Sequence, residues 1–201
     1  GYQALYTEDT GARNTAVGHK VLRVLNYDGS GYSTALGYYA GYSATTGIEN
    51  IFVGANAGQN VTTGDFNTIL GVAAGNNGGD VDSTVFIGYQ AGAGQTMSSD
   101  ADGTVAIGYY AGYQIKTGQK NTVLGYQALY TEDDGDKNTA VGYQALKTQN
   151  GTPGNVHNTA VGVLAGTAIT TGTANTLMGS EVAQNMTTGK ENSAFGNGAL
   201  N

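Results

Sequence analysis

The stretch Asn138-Thr139-Ala140-Val141-Gly142-Tyr143-Gln144-Ala145-Leu146 decides how this chain is read. Its first five residues recur unchanged at Asn14–Gly18 and Asn158–Gly162. Looser copies end at Gly37, Gly54, Gly71, Gly88, Gly108, Gly125, Gly179 and Gly196, and Gly1 is the remainder of one more. Successive anchor glycines stand 17, 19, 17, 17, 17, 20, 17, 17, 20, 17 and 17 residues apart. A constant period interrupted only by short insertions is the mark of a solenoid, in which each coil stacks on the one before. The expected fold is all-β: residues 1–201 form a single repeat array, a parallel β-solenoid or β-roll of about eleven 17-residue coils. At a rise of about 4.8 Å per coil, the array makes a rod roughly 50 Å long. Seventeen residues suit a flattened coil of two short strands and two turns.

Composition agrees with a thin, repeated structure. Glycine accounts for 34 of 201 residues, well above the usual share of roughly 7%. There is no Cys, which excludes disulfides and thiolate metal sites. The net charge of −7 has the wrong sign for nucleic acid, and no apolar run is long enough for a membrane helix. Gly1–Gly18 repeats almost verbatim as Gly125–Gly142, and both ends fall within a repeat. The chain is therefore expected to be a segment of a longer protein.

Stacking turns the repeat into columns. The residue before each anchor is always apolar (Val17, Leu36, Val53, Leu70, Ile87, Ile107, Leu124, Val141, Val161, Met178, Phe195). So is the residue two before (Ala16, Ala35, Phe52, Ile69, Phe86, Ala106, Val123, Ala140, Ala160, Leu177, Ala194). Neighbouring residues of a strand face opposite ways, so both faces of this strand ask for cover. The column before the anchor is assigned to a core. The larger members of the other, Phe52, Ile69, Phe86, Val123 and Leu177, are assigned to contacts between three parallel copies, because a lone rod would expose an apolar stripe. Three residues after the anchor stands Ala in ten of twelve copies, which implies a tight gap, and the next position alternates between Gly and Leu. A second glycine seven before the anchor, followed by two polar residues and Asn, reads as an outer turn in which Asn bonds its own backbone.

The phrase Asn138–Leu146 resembles the repeats of trimeric autotransporter adhesin heads, which carry Asn-Ser-x-Ala-Ile-Gly and form a trimeric left-handed parallel β-roll. It is also similar to repeat arrays of phage tail fibres, toward which the Tyr-Gln-Ala-Leu wording leans. The resemblance spans the whole chain, with a period of 17 that is longer than the adhesin unit. It implies the shaft of a homotrimeric extracellular fibre on a virion surface that supports host attachment. The alternative it implies is a bacterial outer-surface adhesin that binds host matrix or cells. The partners are then other copies of the chain and a host-surface glycan or receptor, with no nucleic acid and no membrane insertion in this segment.

No catalytic constellation is present. His19 and His157 lie far apart, no nucleophile motif accompanies them, and no Gly-rich loop leads to a Gly-Lys-Thr/Ser phrase, so the segment reads as neither enzyme nor nucleotide binder. No cofactor is implied. The one metal candidate is a stack of oxygen ligands for Ca²⁺, Asp80 and Asp82 with Asp100 and Asp102, each pair eight and six residues before an anchor. Against it stands a plain solvated acidic loop, which is also the reading of Glu132, Asp133, Asp134 and Asp136. Two tyrosine clusters, Tyr38, Tyr39 and Tyr42 and then Tyr109, Tyr110 and Tyr113, are glycan-contact candidates, weighed against simple packing along a column. The Thr column three before the anchor (Thr15, Thr34, Thr68, Thr122, Thr139, Thr159, Thr176) suggests an ice-binding solenoid, although Ile51, Val85 and Val105 interrupt it and it is expected beside buried columns.

Overall fold

The computed structural model describes residues 1–98, 101–151 and 153–201. The chain is an all-β parallel β-solenoid of about ten coils. Eleven strands pair in chain order into one parallel sheet: β1 (Thr15–His19), β2 (Thr34–Tyr38), β3 (Ile51–Val53), β4 (Thr68–Leu70), β5 (Val85–Ile87), β6 (Val105–Ile107), β7 (Thr122–Leu124), β9 (Thr139–Val141), β11 (Thr159–Val161), β12 (Thr176–Met178) and β13 (Ser193–Phe195). The intervening β8 (Gly135–Asp136) and β10 (Gly154–Asn155) form a separate parallel pair. Register follows the repeat: Thr15 lies opposite Thr34, Ala16 opposite Ala35 and Val17 opposite Leu36. The same columns continue through the insertions, with Thr139 opposite Thr159 across the interval from Gly142 to Gly162.

Each coil contributes one strand to the long sheet, where the period suggested two per coil. The remaining wall is built from turns. In the coil that begins at Gly125, left-handed backbone occurs at Gln127 (φ 51), Leu129 (φ 47) and Lys137 (φ 58), and equivalent residues repeat it along the chain. Such residues turn the chain sharply without a strand. The turns still pair along the rod axis: the Gly41 N–H donates to the Ala57 carbonyl at 2.9 Å, Gly58 to Ala74 at 2.9 Å and Gly75 to Ala91 at 2.8 Å.

The anchor glycine has a steric cause. Gly71 has φ +133, and a Cβ there would lie 2.5 Å from the carbonyl oxygen of Gly88 in the next coil. Both the backbone angle and the stacking distance exclude a side chain.

The core lies inside the coil, and it assigns the two strand columns the opposite way from the sequence expectation. Phe52, Ile69, Phe86, Val123 and Leu177 are fully buried within a single chain, so they cannot be contacts between copies. The column before the anchor is the one left outside: Val17, Leu36, Leu70, Leu124, Met178 and Phe195 are exposed. The reason is pleat parity, because whichever column points inward forces the next one outward. The Gly/Leu alternation after the Ala column now has a volume explanation. A Cβ on Gly41 would lie 2.6 Å from the Phe52 ring, Gly58 also abuts that ring, and Gly92 stands 2.9 Å from the Phe86 ring. Where the strand carries Ala, as at Ala35 or Ala140, the facing turns carry the buried Leu22, Leu129 and Leu146. At these layers a large side chain on the strand is matched by small residues on the turns, and the reverse.

The Asn four before the anchor is likewise interior. Asn67 Oδ1 accepts from the Thr84 N–H (3.0 Å) and hydroxyl (2.6 Å), and its Nδ2 donates to the Val81 carbonyl at 2.7 Å. Asn121, Asn138, Asn158 and Asn175 continue this coil-to-coil ladder. The Asn therefore bonds the neighbouring coil, where the sequence suggested a local turn, because it lies on the inner face with no water to satisfy it.

Candidate functional surface

Among the described residues no pocket opens in the coil. The outer face of the long sheet is made of three columns: the residues three before, one before and one after each anchor. None of them is Asp, Glu, Lys or Arg, although the chain carries 15 acidic and 8 basic residues. The middle column is apolar throughout, with Val17 at 53%, Leu124 at 47% and Phe195 at 65% exposure. The Thr column also faces outward here, beside an exposed column and not a buried one, with Thr15, Thr34 and Thr122 exposed. Five residues of strand width by eleven strands give a flat, nearly charge-free area of roughly 800 Å².

The third column is aromatic in two blocks. Tyr2, His19 and Tyr38 stack with centroids 5.3 and 5.1 Å apart. Tyr89, Tyr109, Tyr126 and Tyr143 stack at 5.2, 5.1 and 5.4 Å. Of the glycan-contact candidates, Tyr38, Tyr39 and Tyr42 form one cluster, with centroids 4.4 and 4.8 Å apart. Tyr109, Tyr110 and Tyr113 form another, at 4.5 and 4.9 Å. The rings of Tyr109 and Tyr126 face each other with planes 3° from parallel, and each residue is 42–43% exposed. Packing along the column therefore uses the ring surface that stacking on a sugar would need.

The first cluster carries the densest basic charge. Lys20 Nζ donates to the Tyr39 hydroxyl at 2.9 Å. That hydrogen bond raises the Lys20 pKa and lowers that of the Tyr39 phenol. The Arg23 guanidinium lies over the rings of Tyr6 and Tyr42 at 5.2 and 5.7 Å. In the second cluster, burial first and then the charge and hydrogen bond of Tyr109 push the Tyr110 phenol up to about 12.

The acidic columns serve the backbone. Asp82 Oδ1 accepts the Asp65 N–H and Asp102 Oδ1 accepts the Asp82 N–H, each at 2.7 Å. Asp80 accepts from the Thr62 and Thr63 hydroxyls, which lower its pKa. Asp100, the fourth Ca²⁺ candidate, lies outside the described residues. Among the described residues no three His, Asp or Glu side chains gather in a way that could hold a metal ion. Glu132 departs from its expected solvated loop: it is fully buried, accepting from the Gly135 N–H at 2.8 Å and from Gln149 Nε2 at 2.7 Å. The sequence carried part of that signal, since Glu132 and Gln149 both stand seven after an anchor, in a column that also holds Leu25, Val61, Ile115 and Ile169, although Glu8 and Gln95 occupy it too. His19 stacks within the first tyrosine block, and His157 contacts Asn155. The two histidines belong to different ends of the array.

The chain matches no protein-family model, and no curated protein or solved structure is significantly similar to it.

Proposed function

We propose that this chain is part of the shaft of a parallel homotrimeric extracellular fibre, of the kind that carries host attachment on a phage virion. The observation that supports this reading is the charge-free apolar outer face of the long sheet. Soluble proteins seldom leave such a surface open, and its roughly 800 Å² matches what one partner contributes to a stable protein–protein interface. The occupant proposed for it is another copy of the same chain. A straight repeating face is best covered by an identical straight repeating face, and parallel copies place like columns together. The number three comes from the resemblance of the repeats to trimeric fibre and adhesin arrays. The role is mechanical: coil-to-coil hydrogen bonds run along the axis on every wall, and shared apolar contacts hold the copies together.

Leu70→Glu combined with Leu124→Glu tests this reading. Both residues are exposed in one chain, at 43% and 47%, and neither belongs to the buried core. The expected result is a folded β-rich protein that sediments as single copies. Unchanged association would overturn the proposal.

A second reading draws on the same face. The outward Thr column beside an apolar column resembles an ice-binding surface, and seven of its eleven positions are Thr. Thermal hysteresis of the purified protein would favour it over the shaft.

A further inference from the structure

Seven tyrosines meet along one corner of the rod. Tyr89, Tyr109, Tyr126 and Tyr143 form the stacked, 42–47% exposed row on the sheet face. Tyr110 sits at the turn and touches four other rings: Tyr109 at 4.5 Å, Tyr113 at 4.9 Å, Tyr89 at 5.6 Å and Tyr130 at 6.0 Å. Beyond the turn, Tyr113 and Tyr130 stack with centroids 5.2 Å apart and planes 15° from parallel. This last pair has three properties that the others do not combine. Its members belong to successive coils, 17 residues apart in sequence. They lie on the wall beside the sheet face, so covering that face leaves them reachable. Their backbones are tied together next to the rings, the Gln114 N–H donating to the Tyr130 carbonyl at 3.1 Å. Two phenol rings are thus held stacked, one coil on the next.

We propose that Tyr113 and Tyr130 form a site of oxidative tyrosine coupling, which joins successive coils through a dityrosine bond. The co-reactant is a peroxidase-class oxidant with hydrogen peroxide. Each phenol gives up one electron and one proton, and the two phenoxyl radicals join ortho carbon to ortho carbon. The coupled rings then regain aromaticity by returning the ortho hydrogens to their oxygens. The two electrons and two protons reduce one hydrogen peroxide to two waters, so two tyrosines and one peroxide give one dityrosine and two waters. In a single chain, whose sheet face is open, the exposed row also feeds the pair. A radical formed on Tyr109 or Tyr126 has Tyr110 and its neighbours within 4.5–6.0 Å as a path to the turn. The first tyrosine block has no such coil-to-coil pair, because Arg23 stands between Tyr6 and Tyr42 in the matching column, as His19 does between Tyr2 and Tyr38 on the sheet face. Coupling at the second block would tie a shaft along its axis, where load is carried. The chemistry does not depend on the shaft reading, since both rings belong to one chain.

The test is to treat the full chain with horseradish peroxidase and limiting peroxide, then map cross-linked peptides by mass spectrometry. The expected product is a Tyr113–Tyr130 cross-link with a mass loss of two hydrogen atoms and dityrosine fluorescence. It should raise the midpoint of urea unfolding and be absent from Tyr130→Phe, which keeps the ring stack. A short tyrosine peptide in a parallel reaction serves as the control, because its dityrosine shows that the oxidant is active whichever face of the rod is covered. Dityrosine in the control peptide with no Tyr113–Tyr130 cross-link would overturn the proposal, as would equal dityrosine yield in Tyr130→Phe.

Discussion

Replacing Asn67 by Ala removes one rung of the buried amide ladder, and the cost can be worked from its partners. Asn67 is 1% exposed. Its side chain serves three groups of the next coil: the Thr84 N–H, the Thr84 hydroxyl and the Val81 carbonyl. The hydroxyl can rotate toward another acceptor, but the two backbone groups cannot move. Each buried group left unpaired costs about 1–3 kcal/mol, so Asn67→Ala should cost about 2–6 kcal/mol. Solenoid stability is largely a matter of nearest neighbours, so the loss should concentrate where two coils meet. Native-state hydrogen exchange is the fitting assay. Protection of the Thr84 amide should fall by at least about thirtyfold, since every 1.4 kcal/mol is tenfold. Asn67→Thr should recover much of the loss. Threonine already does both jobs in this column at Thr104, which accepts the Asn121 N–H at 3.4 Å and donates to the Gly118 carbonyl at 3.3 Å. An Asn67→Ala protein with unchanged Thr84 exchange, or an Asn67→Thr protein no better than the Ala variant, would refute the reasoning.

Four further outcomes are expected. Phe52→Ala should cost about 3–5 kcal/mol by urea unfolding. Gly58→Leu should destabilise the parent yet stabilise the Phe52→Ala background, because the turn already hosts Leu at φ 46–49 elsewhere (Leu22, Leu129, Leu146) and the Phe52 ring is what excludes it; strict additivity in the double-mutant cycle would count against the volume argument. Asp80 is lowered in the fold by the Thr62 and Thr63 hydroxyls, so its contribution to stability is present above the ordinary carboxylate pKa and is lost as pH falls through the lower folded value. Asp80→Asn should flatten the acid limb of the stability profile, and an identical limb would show that the Thr contacts do not persist in solution. In an ultraviolet titration Tyr39, lowered by its bond from Lys20, should ionise below the ordinary phenol range, and Tyr110, raised to about 12, above it. Lys20→Met should move the early step upward, and a single step unaffected by that variant would contradict the pairing.

Much of the fold was legible because stacking forces identical residues into identical places. The anchor glycines mark the coil, and their spacing alone predicts the parallel order of the strands. What could not be read was parity. Val53 and Phe52 are both apolar, and nothing local says which one turns inward. The answer lies across the coil, in Gly41 and Gly58, whose missing side chains make room for Phe52. The same holds for Glu132, which looks like part of an acidic loop until Gln149, one period later, is seen to cap it. The tyrosine columns were visible in sequence, but their stacking required the rise per coil to bring Tyr109 and Tyr126 together. The second strand per coil failed for a conformational reason: Gln127, Leu129 and Lys137 take left-handed backbone, which strands do not.

Sedimentation equilibrium of the purified chain over a dilution series addresses the proposal that copies cover one another's sheet faces. A mass of about three times 20.4 kDa that persists on dilution is the expected result. A stable species of 20.4 kDa at every concentration, with Leu70 and Leu124 open to solvent, would contradict it.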